Sequence, residues 1–206
     1  MTVELSTSPP PVVDTPINED IIIHKVAFVG SINSGKTTLI KQILKLNRTG
    51  RLEYSGLSNS SQVNRKVALQ MSEYSELPAD DLDTDAVVFC VSHKKLREIV
   101  RDGTFEDKYI DDALYRLKKQ RQIIILCATM TDRGPISDYL EGMNSTRREA
   151  DIVAIKYRIS TFLLVSKYRR TSINGLVNEI IRAAETDKES IVEEVCCPCL
   201  FPKGCF

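Results

Sequence analysis

The apolar positions of this chain alternate between two periods. Short, nearly continuous apolar runs stand at 22–29, 66–71, 85–91, 123–128 and 160–165. Each is short, rich in β-branched residues and suited to a buried strand. Between and after them lie stretches with apolar residues three and four apart, which predict helices over 36–46, about 93–101, 107–119, 146–157 and 173–185. In the 107–119 stretch Ile110, Ala113, Leu114 and Leu117 make one stripe. In the last, Ser172 is the expected N-cap, and Ile173, Leu176, Val177, Ile180 and Ile181 share a face. Strands alternating with helices predict an α/β fold, a mostly parallel central sheet with helices on both faces. Ligands of such sheets bind at the C-terminal ends of the strands, so the loops after the strands are where a site is expected. No internal repeat interrupts this order.

The loop after the first strand carries the clearest chemistry. Gly30-Ser31-Ile32-Asn33-Ser34-Gly35-Lys36-Thr37 fits G-x-x-x-x-G-K-[ST], the phosphate-binding P-loop, and it stands between a strand and a helix as that motif requires. Successive backbone N–H groups can cradle a phosphate at the positive end of the helix dipole. Gly30 and Gly35 allow the turn and the close approach. Lys36 offers a point charge to the β- and γ-phosphates, and the Thr37 hydroxyl is a hard oxygen donor suited to Mg²⁺. A bound nucleotide polyphosphate is therefore expected here.

Composition narrows the class. The 206 residues suffice for one domain with a substantial core and tails. The formal net charge is zero, so no nucleic-acid partner is expected. Apolar content of 42 % is ordinary for a globular domain, and no apolar run reaches the ~18 residues of a membrane span. The first residues show no secretory signal pattern. Residues 1–19, with Pro9, Pro10, Pro11 and Pro16, read as a disordered arm, and 20–185 as the folded body. Cys90 and Cys127 lie in apolar runs and read as buried thiols. Cys196, Cys197, Cys199 and Cys205 crowd together in the tail, unlike a disulfide framework, and a reducing cytoplasmic setting is expected.

From 22 to 185 the order of elements resembles the Ras-like small GTPase superfamily. The run Gly35-Lys36-Thr37-Thr38-Leu39-Ile40-Lys41-Gln42 also resembles the P-loop helix of heterotrimeric G-protein α subunits. The resemblance implies a small G-protein-like P-loop NTPase fold, GTP or GDP with Mg²⁺ as ligands, Thr37 on the metal, and nucleotide contacts from Gly30 through Thr38. Where the family has N-K-x-D or T-K-x-D, this chain has Thr129-Met130-Thr131-Asp132. The resemblance makes Asp132 the acceptor for the guanine edge, with Met130 in place of the lysine that packs on the base. The family's S-A-K loop is matched by Val165-Ser166-Lys167, which implies Lys167 beside the base and a backbone N–H near the guanine oxygen.

The departures are at the hydrolytic end. The switch I threonine has no match in register; Thr49, Ser55, Ser58, Ser60 and Ser61 are the candidates. The D-x-x-G of switch II should close the strand at 66–71, where Met71-Ser72-Glu73-Tyr74-Ser75-Glu76 stands instead, without the glycine that would meet the γ-phosphate. Glu73 and Glu76 are the only acids there that could reach a metal through water, and Asp80, Asp81 and Asp83 read as a solvated loop. Ile32 takes a position that is often glycine in the family, where a branched side chain crowds the attacking water.

Residues 186–206 read as a flexible tail. Their ending is not a C-a-a-X box, because Lys203 stands where that needs cysteine. Cys196, Cys197, Cys199 and Cys205 beside Leu200, Phe201 and Phe206 suit S-acylation and a membrane surface; an unmodified tail and a four-thiolate metal site are the other readings. Three functions follow: a membrane-tethered guanine-nucleotide switch, slow at hydrolysis, with effector or regulator partners; a pseudo-GTPase adaptor that keeps the fold without switching; and an ATP-using P-loop kinase or ATPase, which would need an Asp at the end of a strand, near where Ser72 stands.

Overall fold

The computed structural model describes residues 21–46, 52–58, 61–101, 104–105, 107–130 and 147–186. The arm at 1–19, Thr49, Ser60, Asp132 and the cysteines Cys196, Cys197, Cys199 and Cys205 lie outside the described residues.

Strands β1 (Ile21–Val29), β2 (Leu52–Ser58), β3 (Ser61–Tyr74), β4 (Ala86–Ser92), β7 (Ile124–Met130) and β8 (Thr161–Ser166) form one sheet in the order β2-β3-β1-β4-β7-β8. β2 and β3 are antiparallel; every other neighbouring pair is parallel. β5 (Val100–Arg101) and β6 (Thr104–Phe105) make a separate two-residue hairpin. The helices are α1 (Lys36–Leu46), α2 (His93–Ile99), α3 (Lys108–Lys119), α4 (147–156) and α5 (Arg170–Ala184).

β4 explains the layering. Its residues 86–91 are all buried, and alternate side chains serve opposite faces. Val87, Phe89 and Val91 pack with Leu96 of α2, Leu114 and Leu117 of α3 and Val153 of α4. Val88 and Cys90 pack with Leu39 and Ile43 of α1 and Ile173, Leu176 and Ile180 of α5. A parallel strand covered on both faces must be apolar at every position, which is why its sequence lacks alternation. Local caps agree with the element ends: Ser92 accepts from the Lys95 N–H at the start of α2, and Asp107 accepts from the Ile110 N–H at the start of α3. Burial pushes the Asp107 carboxyl up, but the Lys95 ammonium 2.7 Å away and the amides of Ile110 and Tyr109 outweigh it and hold the carboxyl below its usual value.

Three expectations need correction. β3 starts at Ser61 and runs to Tyr74, well beyond 66–71, because it pairs with β2 on one side and β1 on the other. The hairpin strand β2 carries too few apolar residues to show a period. The helix expected over 93–101 ends at Ile99, where Val100–Arg101 turns out to pair with Thr104–Phe105. Ser172 is not an N-cap: α5 begins at Arg170 behind Arg169, whose side chain makes no capping bond. The Ser172 hydroxyl accepts from the Ser166 N–H at 3.1 Å and lies 2.8 Å from the Arg169 carbonyl, tying the end of β8 to the first turn of α5.

Candidate functional site

The loop from β1 to α1 is built around positions that only certain residues tolerate. Gly30 has φ +154, and a Cβ there would lie 2.2 Å from the Cys90 carbonyl oxygen. Any side chain would drive the loop off β4. The Gly30 N–H donates to the Tyr74 carbonyl at 3.2 Å, so the end of β3 also holds the loop. Asn33 has φ +64 and Gly35 φ +92, which turn successive backbone amides toward the start of α1. Ile32, by contrast, projects into solvent and is 77 % exposed.

Lys36 is 3 % exposed, an unusual place for an ammonium. Its Nζ donates to the carbonyls of Gly30 at 2.8 Å and Ser31 at 2.9 Å, and to Ser34 Oγ at 3.4 Å. These partners are neutral. A phosphate oxygen reaching the same nitrogen would pair the ammonium with a charged acceptor, a stronger bond than those to the neutral carbonyls.

Glu73 completes this corner. The Thr37 hydroxyl donates to Glu73 Oε1 at 2.6 Å, and Lys36 Nζ lies 4.0 Å from the same oxygen. The register of β3 against β1 sets Glu73 opposite Phe28, one residue before both strands end. A hydroxyl that spends its proton on a carboxylate turns its lone pairs elsewhere, and two hard oxygen donors side by side suit Mg²⁺. These residues fit that ion: Thr37 would hold it, and Glu73 would fix the hydroxyl or reach it through water. Glu73 was the residue least legible in advance, because the strand was expected to stop at Met71. The signal was present. Val67, Leu69 and Met71 pack on the α1–α5 side, and two more residues of strand alternation bring Glu73 to that same side.

The base side is described in part. Thr129, at the end of β7, donates its hydroxyl to the Ser34 carbonyl at 2.8 Å, and its side chain lies 3.1 Å from where a Cβ on Gly35 would be. It thus locks the phosphate loop to the next strand end. Ser166 faces Met130 across β7 and β8; its N–H goes to Ser172, and its hydroxyl accepts from the Tyr168 N–H. Lys167 places its ammonium 4.8 Å from the Tyr168 ring centre. The structure therefore gathers Gly30 through Thr38, Glu73 and Thr129, and sets Ser166 and Lys167 one strand further along. Asp132 lies outside the described residues.

The segment that follows Glu73 is fastened to the body. Tyr109 of α3 donates its hydroxyl to the Ser75 carbonyl at 2.6 Å, and Arg116 donates to the Pro78 carbonyl at 2.5 Å. Gln122 donates to the Leu82 carbonyl at 2.8 Å, while Leu82 is buried in the core. Burial, with the charges of Glu76 and Asp107, pushes the Tyr109 phenol up, so it stays protonated and remains a donor. Asp80, Asp81 and Asp83 are exposed as expected, and Asp83 meets Lys25 at 2.6 Å.

Neither a family model nor a curated protein sequence matches the chain. Solved structures do. The chain is similar to the translation elongation factor SelB from Methanococcus maripaludis in its apo form, with 19 % identity over 81 % of this chain and a TM-score of 0.54. It spans 34 % of that protein's length. A probable GTP-binding protein engB aligns at 18 % identity, covering 78 % of this chain and 98 % of that one, with a TM-score of 0.47. The FeoB G-domain from Methanococcus jannaschii aligns at 16 % identity, covering 80 % and 99 %, with a TM-score of 0.48. These last two are too loose to carry an argument. At this identity the likeness is one of fold, and with the strand order and the loop it gives the chain the α/β P-loop NTPase fold.

Proposed function

We propose that this chain binds a guanine nucleotide with Mg²⁺ as a divergent Ras-like GTPase, cleaves GTP slowly, and is held at the cytoplasmic face of a membrane by S-acylated tail cysteines. The observation that carries nucleotide binding is the corner formed by Lys36, Thr37 and Glu73 under the glycine loop. Bound Mg²⁺ would neutralise phosphate charge there. The chain's own residues bind and orient: loop amides and Lys36 take the phosphates, Glu73 aims the Thr37 hydroxyl, and Thr129 keeps the loop closed on the base side.

Guanine selectivity rests on Thr129 and Asp132 standing in the register of the family's base loop. Glu73 supplies the acid that an ATP-using enzyme would also need, so the base loop is what separates those readings. Slow cleavage follows from the sequence after Glu73, which has no glycine to meet a γ-phosphate and no glutamine to orient water. Exposed Ile32 adds bulk where water would approach. Cys196, Cys197, Cys199 and Cys205 provide more than the two chains that stable anchoring takes.

Single-turnover GTP cleavage by the purified protein tests the slow-hydrolysis reading. The expected rate is at or below about 10⁻³ s⁻¹, the scale of unassisted small GTPases; turnover of several per second contradicts it. For the tail, hydroxylamine-sensitive incorporation of a palmitate probe should disappear when all four cysteines become serine.

A second reading, an adaptor that holds nucleotide without switching, is favoured by the bonds from Tyr109, Arg116 and Gln122 to the 75–82 backbone. It requires equal hydrogen exchange over 73–84 with GDP and with a GTP analogue, and nucleotide-dependent protection there refutes it.

A further inference from the structure

A second concavity lies away from the phosphate site, beside the free edge of the sheet. It has a volume of about 490 Å³ and is walled by Ala154 and Ile155 of α4, Ile159 and Ser160 of the following turn, and Phe162 of β8. Asp151 and Arg158 supply its charges. Ile155 is 77 % exposed although it sits beside this apolar wall. β8 is the last strand of the described sheet, so among the described residues no further strand covers the groove from that side. The size is that of a ligand-scale pocket, but the lining is mostly aliphatic and aromatic, which suits apolar side chains rather than a charged small molecule.

The end of the described chain lies at the same N-terminal end of β8 as this groove, on the α5 face of that strand, so a tail that rounds the strand's edge meets the groove. Arg182, in the last turn of α5, donates to the Thr161 hydroxyl at 3.1 Å, and Thr161 stands between Ser160 and Phe162. The Thr186 hydroxyl donates to the Arg182 carbonyl at 2.9 Å, so the chain leaves α5 at the N-terminal end of β8. Residues 187–190 can span about 13 Å when extended. The next apolar residues are Ile191, Val192 and Val195, spaced as one face of a helix.

Charge agrees. The segment 187–195 holds Asp187, Glu189, Glu193 and Glu194 against Lys188 alone. On the groove side Lys118 reaches the Arg158 carbonyl with its ammonium at 3.0 Å, setting two cations together. Burial, with the Arg158 charge added, holds the Lys118 ammonium below its usual value. An acidic partner would relieve that crowding.

We propose that residues 187–195 of this same chain dock in the groove between α4 and β8, with Ile191, Val192 and Val195 against Ile155, Ile159 and Phe162, and the acidic residues toward Lys118 and Arg158. The contact is independent of nucleotide binding. It precedes the cysteines in sequence and so fixes the side of the domain from which they emerge.

The test is hydrogen exchange on the full chain, comparing the wild type with a variant carrying Ile191→Asp, Val192→Asp and Val195→Asp. Amides over 153–162 should exchange at least about tenfold faster in the variant, the scale on which loss of a docked segment exposes local openings. Ile155→Glu, at a position exposed enough to leave the fold intact, should speed exchange over 187–195 to the same degree. Arg158→Glu should do likewise, and Glu193→Arg with Glu194→Arg should restore protection in that background. Equal rates in all variants overturn the proposal. So does protection that rises with protein concentration, which assigns the groove to the tail of a second copy, or protection that appears only with added anionic vesicles, which assigns it to a membrane.

Discussion

The two ends of the proposed nucleotide-facing surface are made in different ways. From Gly30 to Thr37 the backbone visits left-handed conformations, and a buried ammonium rests on neutral carbonyls. From Ser75 to Leu82 the backbone carbonyls are tied by hydrogen bonds from Tyr109 and Arg116 of α3 and from Gln122, with Leu82 sunk in the core. The first arrangement carries strain that a charged ligand can offset. The second satisfies its carbonyls within the protein, leaving little for a γ-phosphate to reward. A site can thus keep the parts that hold a polyphosphate while the neighbouring segment loses those that respond to it. Glu73 is the hinge between the two regions. It bonds Thr37 on one side and starts the fastened segment on the other.

The comparison can be broken most sharply at Gly30. Gly30→Ala should destabilise the fold by about 3 kcal/mol, because the new methyl meets the Cys90 carbonyl in a backbone conformation closed to alanine; chemical denaturation reads this directly. Lys36→Ala should weaken nucleotide binding by roughly 10- to 100-fold through the loss of charged hydrogen bonds, measured by displacement of a fluorescent guanine nucleotide. Glu73→Gln keeps the shape and removes the charge. It should reduce Mg²⁺ support of nucleotide binding by about tenfold with the unfolding midpoint nearly unchanged, as seen when outer partners of metal ligands are altered. Tyr109→Phe should cost about 1 kcal/mol and speed hydrogen exchange over 75–82, which would convert the fastened segment into a looser one. Gly175→Ala, in α5 with open space around it, should stabilise by roughly 0.5–1 kcal/mol and leave nucleotide binding untouched.

The sequence made the central layers legible because burial on both faces leaves a strong signature. β4 and β7 are apolar at nearly every position, and α3 and α5 carry one unbroken stripe each. The phosphate loop was legible because its chemistry demands glycine, lysine and threonine at fixed spacing. β2 and the outer half of β3 were not, since an edge hairpin is specified by backbone pairing and carries no periodic apolar face. The same gap left Glu73 undistinguished from Glu76 as a candidate near the metal, because its polar neighbours Ser72 and Ser75 resemble a loop although the strand continues to Tyr74. Ser172 shows the converse error. A serine just before an apolar stripe suggests a cap, but its hydroxyl is engaged by Ser166 from the preceding strand, a contact that only the tertiary structure creates.

Calorimetric titration of the full chain with GDP, GTP and ATP, with and without Mg²⁺ and with Lys36→Ala as control, bears most directly on the proposed site. Guanine nucleotides are predicted to bind more tightly than ATP, to require Mg²⁺ for full affinity, and to weaken sharply in the Lys36 variant. ATP binding as tightly as GTP, or no heat of binding for any nucleotide, would contradict a guanine-nucleotide site at Gly30 to Thr37.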